Sequence, residues 1–390
     1  MPDGQDCFDL ALLYAPPFAG PTRFSKHHLA TYFAEHGARV LYVEAPLNPL
    51  GLRRGRAFAA ELRAALEPAI QARDRLWVRR HFAPVPYHAA FSLTGRRAAN
   101  RLAQRLVAPA IRRDLLRLRM SSPVLIAGLP HVVDLVPFLP RRALVYHCAD
   151  DYAHVGGFPD TLPELEADLC RWADLVITTS ETLCQERRQL NPYTHWVPNG
   201  ADVEHFSRAS TPADELNGVT RPIVGFVGGL SQWVDITLVA HLARARPRWT
   251  FVLVGPVGVD VTAIRKLHNV RLLGPRAYEA LPGYLAAMDV ALIPFTRDRV
   301  TYHADPIKAY EYLAAGLPVV ATDLPALRRL NHVIRLADSG ESFLNEIEAA
   351  LAEGRHARRA EREAEARRHS WPIRFERIER LIRATLACAP

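Results

Sequence analysis

Residues 305–323 read DPIKAYEYLAAGLPVVATD, and the reading of this stretch decides the fold. Asp305 is a good helix N-cap, Pro306 suits a first helical position where its missing N–H costs nothing, and Gly316 suits the left-handed residue that ends a helix. The spacing therefore predicts a helix from residue 306 to about 315. Residues 317–322 then read as a short strand, apolar on both faces, as in a parallel sheet. Lys308 in the first turn and Glu311 at i+3 share one face near the positive end of the helix dipole. Unpaired N–H groups and an ammonium there hold a diphosphate, while a carboxylate one turn later accepts both hydroxyls of a ribose. A solvated helix with an incidental ion pair is the plainer reading. Lys ahead of Glu is, however, the weaker order for a helix salt bridge, which favours the ligand.

Working outward, residues 8–14 (FDLALLY) form a strand, 15–22 a loop rich in Pro and Gly, 24–36 a helix stopped by Gly37, and 39–44 (RVLYVE) a second strand. This order opens a doubly wound parallel α/β sheet, whose ligands gather at the carboxyl ends of strands. Strand 124–127 delivers His131 to that edge, and strand 144–148 (LVYHC) delivers Asp150 and Asp151. Adjacent carboxylates past a buried strand are candidates for a general base, because like charges raise one pKa; a helix cap or a turn is the alternative. A second α/β half starts at strand 223–227, which runs into Gly228, Gly229 and Ser231, small residues that let backbone N–H groups approach a phosphate. Strands at 250–254, 270–273 and 290–294 follow, with a polar loop at 295–304. The polar, breaker-rich stretch 207–222 reads as an unpacked linker, and the charged helical tract beyond 341 as a solvated outer face.

A chain of 390 residues with 49% apolar residues calls for two cores. Five scattered Cys without a CxxC pair or zinc-type spacing fit a reducing cytoplasm, and the N-terminus does not read as a signal peptide. The net charge of +8 is concentrated: residues 53–119 carry sixteen Arg against Glu61, Glu67, Asp74 and Asp114. Such helices lie against anionic lipid, hold a pyrophosphate, or are plain solvated faces. No stacking motif accompanies the charge, so nucleic acid is not an expected partner. The absence of GxGxxG argues against a nicotinamide-dependent oxidoreductase, and the absence of a DxD triplet gives no indication of a bound metal.

The segment PIKAYEYLAAGLPVVAT resembles the nucleotide-binding segment of GT-B glycosyltransferases of the group 1 or family 4-like class, which have two Rossmann-like domains around an interdomain cleft. Its PIKxYEYLAAG form is similar to that of the teichuronic-acid and xanthan-type subgroup, where the Lys serves the phosphates. The resemblance implies that Glu311 binds the donor ribose and Lys308 the diphosphate beside Asp305. It further implies that Gly228, Gly229 and Ser231 (in GFVGGLSQWVD) and the loop 274–278, with Arg276 and Tyr278, complete the donor site. RFSKHHLA resembles RPxHLA of this family and places Arg23, His27 and His28 on the acceptor side, together with His131. VYxxxDDY resembles the block holding the acceptor base, here Asp150 ahead of Asp151. The sequence departs from the family at His303, where a second Glu is common, and at Gln232, Trp233 and Asp235, where Arg and Lys are common.

The expected layout is an acceptor domain over 1–206, a linker over 207–222, a donor domain over 223–370 and a terminal helix over 371–390 crossing back. The expected function is metal-independent transfer of a sugar from a nucleotide-diphosphate sugar, a co-substrate with no further cofactor, to a glycan or lipid-linked saccharide in envelope polysaccharide or glycolipid synthesis. Residues 53–119 are a candidate for peripheral contact with an anionic membrane at its inner face. The departures motivate one alternative, a non-catalytic nucleotide-sugar-binding relative. Donor base, sugar and anomeric outcome stay open.

Overall fold

The computed structural model describes residues 8–20, 22–47, 56–83, 97–155, 162–208 and 210–388. They fall into two compact units. One holds residues up to Val197, apart from Thr22 and Arg23, and resumes at Phe375; the other holds Thr22, Arg23 and Pro198–Arg374.

The first unit is built on the strands β1 (Leu10–Ala15), β2 (Val40–Glu44), β3 (Ile70–Arg73), β4 (Leu76–Arg79), β5 (Val124–Ala127), β6 (Ala143–Cys148), β7 (Leu175–Thr178) and β8 (Thr194–Trp196). Their order among the described residues is β3-β4-β2-β1-β5-β6-β7-β8. Central β1 pairs in parallel with β2, Leu10 opposite Val40, and with β5, Leu10 opposite Val124. Every residue of β1, β2, β5, β6 and β7 is buried, which is why they read as unbroken apolar runs. Edge strand β3 is antiparallel to β4 and exposed throughout, so it shows none of the patterning that reveals a strand in sequence.

The second unit carries the all-parallel order β11-β10-β9-β12-β13-β14, formed by β9 (Ile223–Val227), β10 (Thr250–Val254), β11 (Val270–Gly274), β12 (Val290–Ile293), β13 (Val319–Thr322) and β14 (Arg335–Ala337). Three expectations change here. Part of the stretch 210–222 is packed: Leu216 and Val219 are buried, and Glu215 meets the Arg276 guanidinium at 2.8 and 2.9 Å. The loop 295–304 contains a helix, Arg299–His303, capped by Asp298, whose Oδ1 accepts from the Thr301 N–H at 3.0 Å. The charged tract beyond 341 is not wholly solvated, because buried Arg362 donates to the Gly316 carbonyl at 3.0 Å and pairs with Glu353 at 2.8 Å.

Candidate active site

In the second unit the decisive helix spans Ile307–Ala314 with Pro306 as its N-cap, and no side chain caps it. Asp305, expected as the cap and as part of the donor site, is committed elsewhere. Its buried carboxylate accepts from the Asn199 N–H (2.7 Å), the Tyr310 hydroxyl (2.7 Å) and Arg329 (2.8 Å), so it anchors the helix from behind. At the far end Gly316 adopts φ +70°, with its N–H on Leu313 O (2.9 Å) and the Leu317 N–H on Tyr312 O (3.0 Å), the paired closure of a Schellman motif.

Tyr312 fixes where the helix begins relative to the sheet. Its buried hydroxyl accepts from the Val227 N–H at 2.9 Å and donates to Val227 O at 3.2 Å, tying the helix to the carboxyl end of β9. The next residue, Gly228, therefore lies under Lys308; a Cβ there would stand 3.1 Å from Lys308 Cε. Lys308 Nζ reaches Glu311 Oε2 at 2.9 Å, with the Glu311 side chain nearly buried and the Lys308 side chain about one quarter exposed. Gly228 N–H bonds Val254 O and Leu230 N–H bonds Pro256 O, both at 2.8 Å, which lays the loop 228–231 across the end of β10. Gly255 at φ +149° permits that approach, since a Cβ there would meet Gly228 O at 1.9 Å. A Cβ at Gly229 would make ordinary contact with Ser231 Oγ at 3.5 Å and Pro256 Cγ at 3.8 Å. The structure thus gathers Gly228, Gly229, Ser231, Lys308 and Glu311 at one sheet edge.

Tyr278 joins them. Its ring stacks on His205 at 4.3 Å and 11°, and its phenol is pushed above the ordinary value by burial and then by the Glu311 and Asp202 carboxylates. Arg276 does not join. Besides Glu215 it serves Tyr284 Oη (2.8 Å) and Leu273 O (2.5 Å), so it braces the 215–284 corner and is no free phosphate ligand. His303 is buried with Nδ1 2.8 Å from Arg299 O, an interior position. Tyr312 and His205 were not foreseen; nothing in YEY or in VEHFS distinguishes them from packing residues.

In the first unit, β6 presents the two Asp unequally. Asp151 is buried between Arg187 (3.4 Å) and His154 Nδ1 (2.9 Å), and Arg187 is held in turn by Glu166 at 3.1 Å. Asp150 is solvent-exposed, yet protein crowds it closely enough that desolvation raises its pKa; Lys26 opposes this rise and Asp151 adds to it. Lys26 is the residue sequence reading passed over within RFSKHHLA. It is buried, its Nζ touches His147 Nδ1 and lies 3.3 Å from His147 O, and its Cε packs over Gly128. Burial depresses its ammonium to about 7, against the pull of Cys148 and Asp150, and holds the His147 imidazole neutral.

The acceptor-side candidates separate. His27 is buried with Nδ1 accepting from the Phe24 N–H and Nε2 on Pro17 O, both at 3.0 Å, so it folds the 16–20 loop and is not presented to a substrate. His131 is fully buried under β5 and offers no acceptor contact. His28 and Arg23 are half-buried, and Arg23 belongs to the second unit, near enough Tyr278 to oppose the rise in its pKa. Among the described residues no group of three His, Cys, Asp or Glu converges as a metal-binding set, and no helix is long and apolar enough to cross a membrane.

Residues 221–353 match the family described as glycosyl transferases group 1. A Bacillus subtilis protein, "Putative teichuronic acid biosynthesis glycosyltransferase TuaH", is 29% identical over 206 residues, 48% of this chain and 52% of the relative. The chain thus spans about half the length of the curated relative it matches. Among solved structures, Anabaena Alr3699/HepE in complex with UDP superposes with a TM-score of 0.67 at 18% identity, covering 97% of this chain and 100% of that one. The α,α-trehalose 6-phosphate synthase of Burkholderia multivorans gives 0.70 at 13% identity, covering 98% and 100%. At such identities these structures establish the fold, two Rossmann-like domains of GT-B type. The matched residues 221–353 contain the helix with Lys308 and Glu311, so the similarity to the glycosyl transferases group 1 lies within the second unit.

Proposed function

We propose that the protein transfers a sugar from a nucleoside diphosphate sugar to a hydroxyl of an envelope glycan or lipid-linked saccharide. One observation carries this reading: the Lys308–Glu311 pair opens the helix Ile307–Ala314 directly over Gly228, inside the matched segment. In the reaction the bond from the anomeric carbon to the diphosphate oxygen breaks and a bond to the acceptor oxygen forms. Negative charge grows on the diphosphate, where Lys308 and the free N–H groups of the helix stabilise it. Glu311 turns from Lys308 to the ribose hydroxyls. Asp150, exposed and with a raised pKa, takes the acceptor proton, while buried Asp151 holds its loop. The UDP bound by HepE and the teichuronic acid assignment of TuaH support a nucleotide donor and an envelope acceptor.

Contact with an anionic membrane extends the proposal. The helix Arg97–Arg117 exposes Arg101, Leu102, Arg105, Leu106 and Leu116, a mixed basic and apolar face of the interfacial kind. Much of the remaining basic charge is used internally, as in Arg79–Asp114 (3.0 Å) and Arg97–Asp134 (3.1 Å).

The test is incubation with UDP-, GDP- and dTDP-sugars while nucleotide release and thermal stability are followed. One donor is expected to stabilise the protein and release its nucleotide, and Lys308→Met to abolish release. Stabilisation without release in the presence of membrane-extracted acceptors would instead identify a nucleotide-sugar binder.

A further inference from the structure

The helix Ile307–Ala314 carries Lys308 at one end; past its other end Ala315 forms part of the wall of a separate cavity of about 420 Å³. Arg208, Arg355 and Arg359 line it together with Ser210 and Thr211, and among the described residues no Asp or Glu does. The remaining wall is apolar, made by Phe206, Pro282, Ala286 and Ala315. All of these residues belong to the second unit.

Its charge is poorly balanced. Arg208 is exposed and forms no ion pair among the described residues. Arg355 donates to the carbonyls of Ala286 (2.6 Å) and Met288 and forms no ion pair among the described residues. Arg359 pairs with Glu363 at 2.7 Å, and Glu363 also faces Arg367 at 3.6 Å. Burial and the neighbouring Arg359 push the Arg355 guanidinium below its ordinary value, with Asp289 opposing and Arg221 adding. The carbonyl ends of the adjoining helices are already occupied, by Arg355 on Ala286 and by Arg362 on Gly316, so they do not repel an incoming anion.

We propose that this cavity binds a small organic phosphate ester. The phosphate dianion engages the forks of Arg208, Arg355 and Arg359, the Thr211 hydroxyl and the Ser210 hydroxyl once it turns from the Arg208 carbonyl (3.3 Å), and the carbon body lies against Phe206 and Pro282. Guanidinium forks match phosphate oxygens in geometry and charge, and the volume falls within the range of small-ligand sites, roughly 300–1,000 Å³. Inorganic phosphate fills the basic half and leaves the apolar wall uncovered, so an ester binds more tightly. The site is distinct from the proposed donor site and is tested with that site occupied.

The experiment is calorimetric titration of the full chain, saturated with UDP, by glycerol 3-phosphate and by inorganic phosphate. Stoichiometric binding of both is expected, with the ester the tighter. Arg208→Glu, on an exposed side chain, is expected to weaken the ester by roughly ten- to a hundredfold and leave UDP affinity unchanged. Arg359→Gln acts in the same direction, with thermal unfolding confirming that it folds, while Lys308→Met weakens UDP and spares the ester. The proposal is overturned if neither phosphate binds, if Arg208→Glu and Arg359→Gln bind the ester as the parent does, or if Lys308→Met abolishes the ester. Retention on phosphatidylglycerol vesicles with no response to soluble phosphates overturns it as well.

Discussion

Asp150 and Asp151 are adjacent in the chain, and the fold gives them opposite environments. Asp150→Asn is expected to lower kcat by about 10²–10⁴ with thermal stability unchanged, because the side chain is exposed and its role is proton transfer. Asp151→Asn is expected to cost about 1–3 kcal/mol of stability, because Arg187 and His154 lose an ionised partner. Kinetics and thermal unfolding of the two variants check this, and the reverse pattern would move the base to Asp151. Lys26 makes a prediction in pH. It releases its proton near pH 7 in the folded chain and near its ordinary 10.5 when unfolded, so between these values the unfolded state holds the extra proton. Stability therefore rises with pH across that window, by up to about 1.4 kcal/mol per unit. Lys26→Met, which removes the titrating partner of His147, Cys148 and Asp150, should flatten the rise in a series of melts from pH 7 to 10. The Asp pair was legible because it stands at the end of an apolar run. Lys26 was not, since no spacing reveals which way a long flexible side chain turns.

The helix Ile307–Ala314 and strand β9 act as one element, joined by the two hydrogen bonds of Tyr312 to Val227. Gly255→Ala tests the joint. Its φ of +149° and the 1.9 Å approach to Gly228 O mean that the new methyl displaces the loop 228–231, at a cost of about 1–3 kcal/mol and with a raised KM for the donor. Gly228→Ala meets the buried Phe226 ring at 2.9 Å and Lys308 Cε at 3.1 Å, so it should lower kcat as well as stability. Melting curves and donor kinetics separate the two. The sequence revealed this helix and the buried strands around it because Pro306, Gly316 and the apolar runs act locally. Asp305 misled for the opposite reason: a residue with N-cap chemistry is drawn away by Asn199 and Arg329, 106 and 24 positions distant. The packed stretch around Leu216 stayed hidden likewise, since Glu215 meets Arg276 61 positions away, whereas edge strand β3, paired with its neighbour β4, stayed hidden because none of its residues is buried.

At the scale of the molecule, the helix Trp371–Cys388 contributes its first four residues to the second unit and the rest to the first. Phe375, Ile378, Ile382 and Leu386 are buried, Phe375 packs on Tyr32 at 5.6 Å, and Glu379 accepts from the Tyr32 hydroxyl at 3.3 Å. Four such side chains are worth about 1.5–3 kcal/mol each, a sum comparable with the whole stability of a domain. A chain ending at Arg374 is therefore expected to lose protease resistance in residues 8–197 while residues 198–374 keep theirs, as limited proteolysis with mass spectrometry would show. Birth order follows from the same helix. A ribosome must emit residues 198–374 before the piece that finishes the earlier sheet's cover leaves the exit tunnel, a wait of roughly 10–35 s. The half begun first is the half completed last, and throughout that interval it stands with an apolar flank open to chaperones.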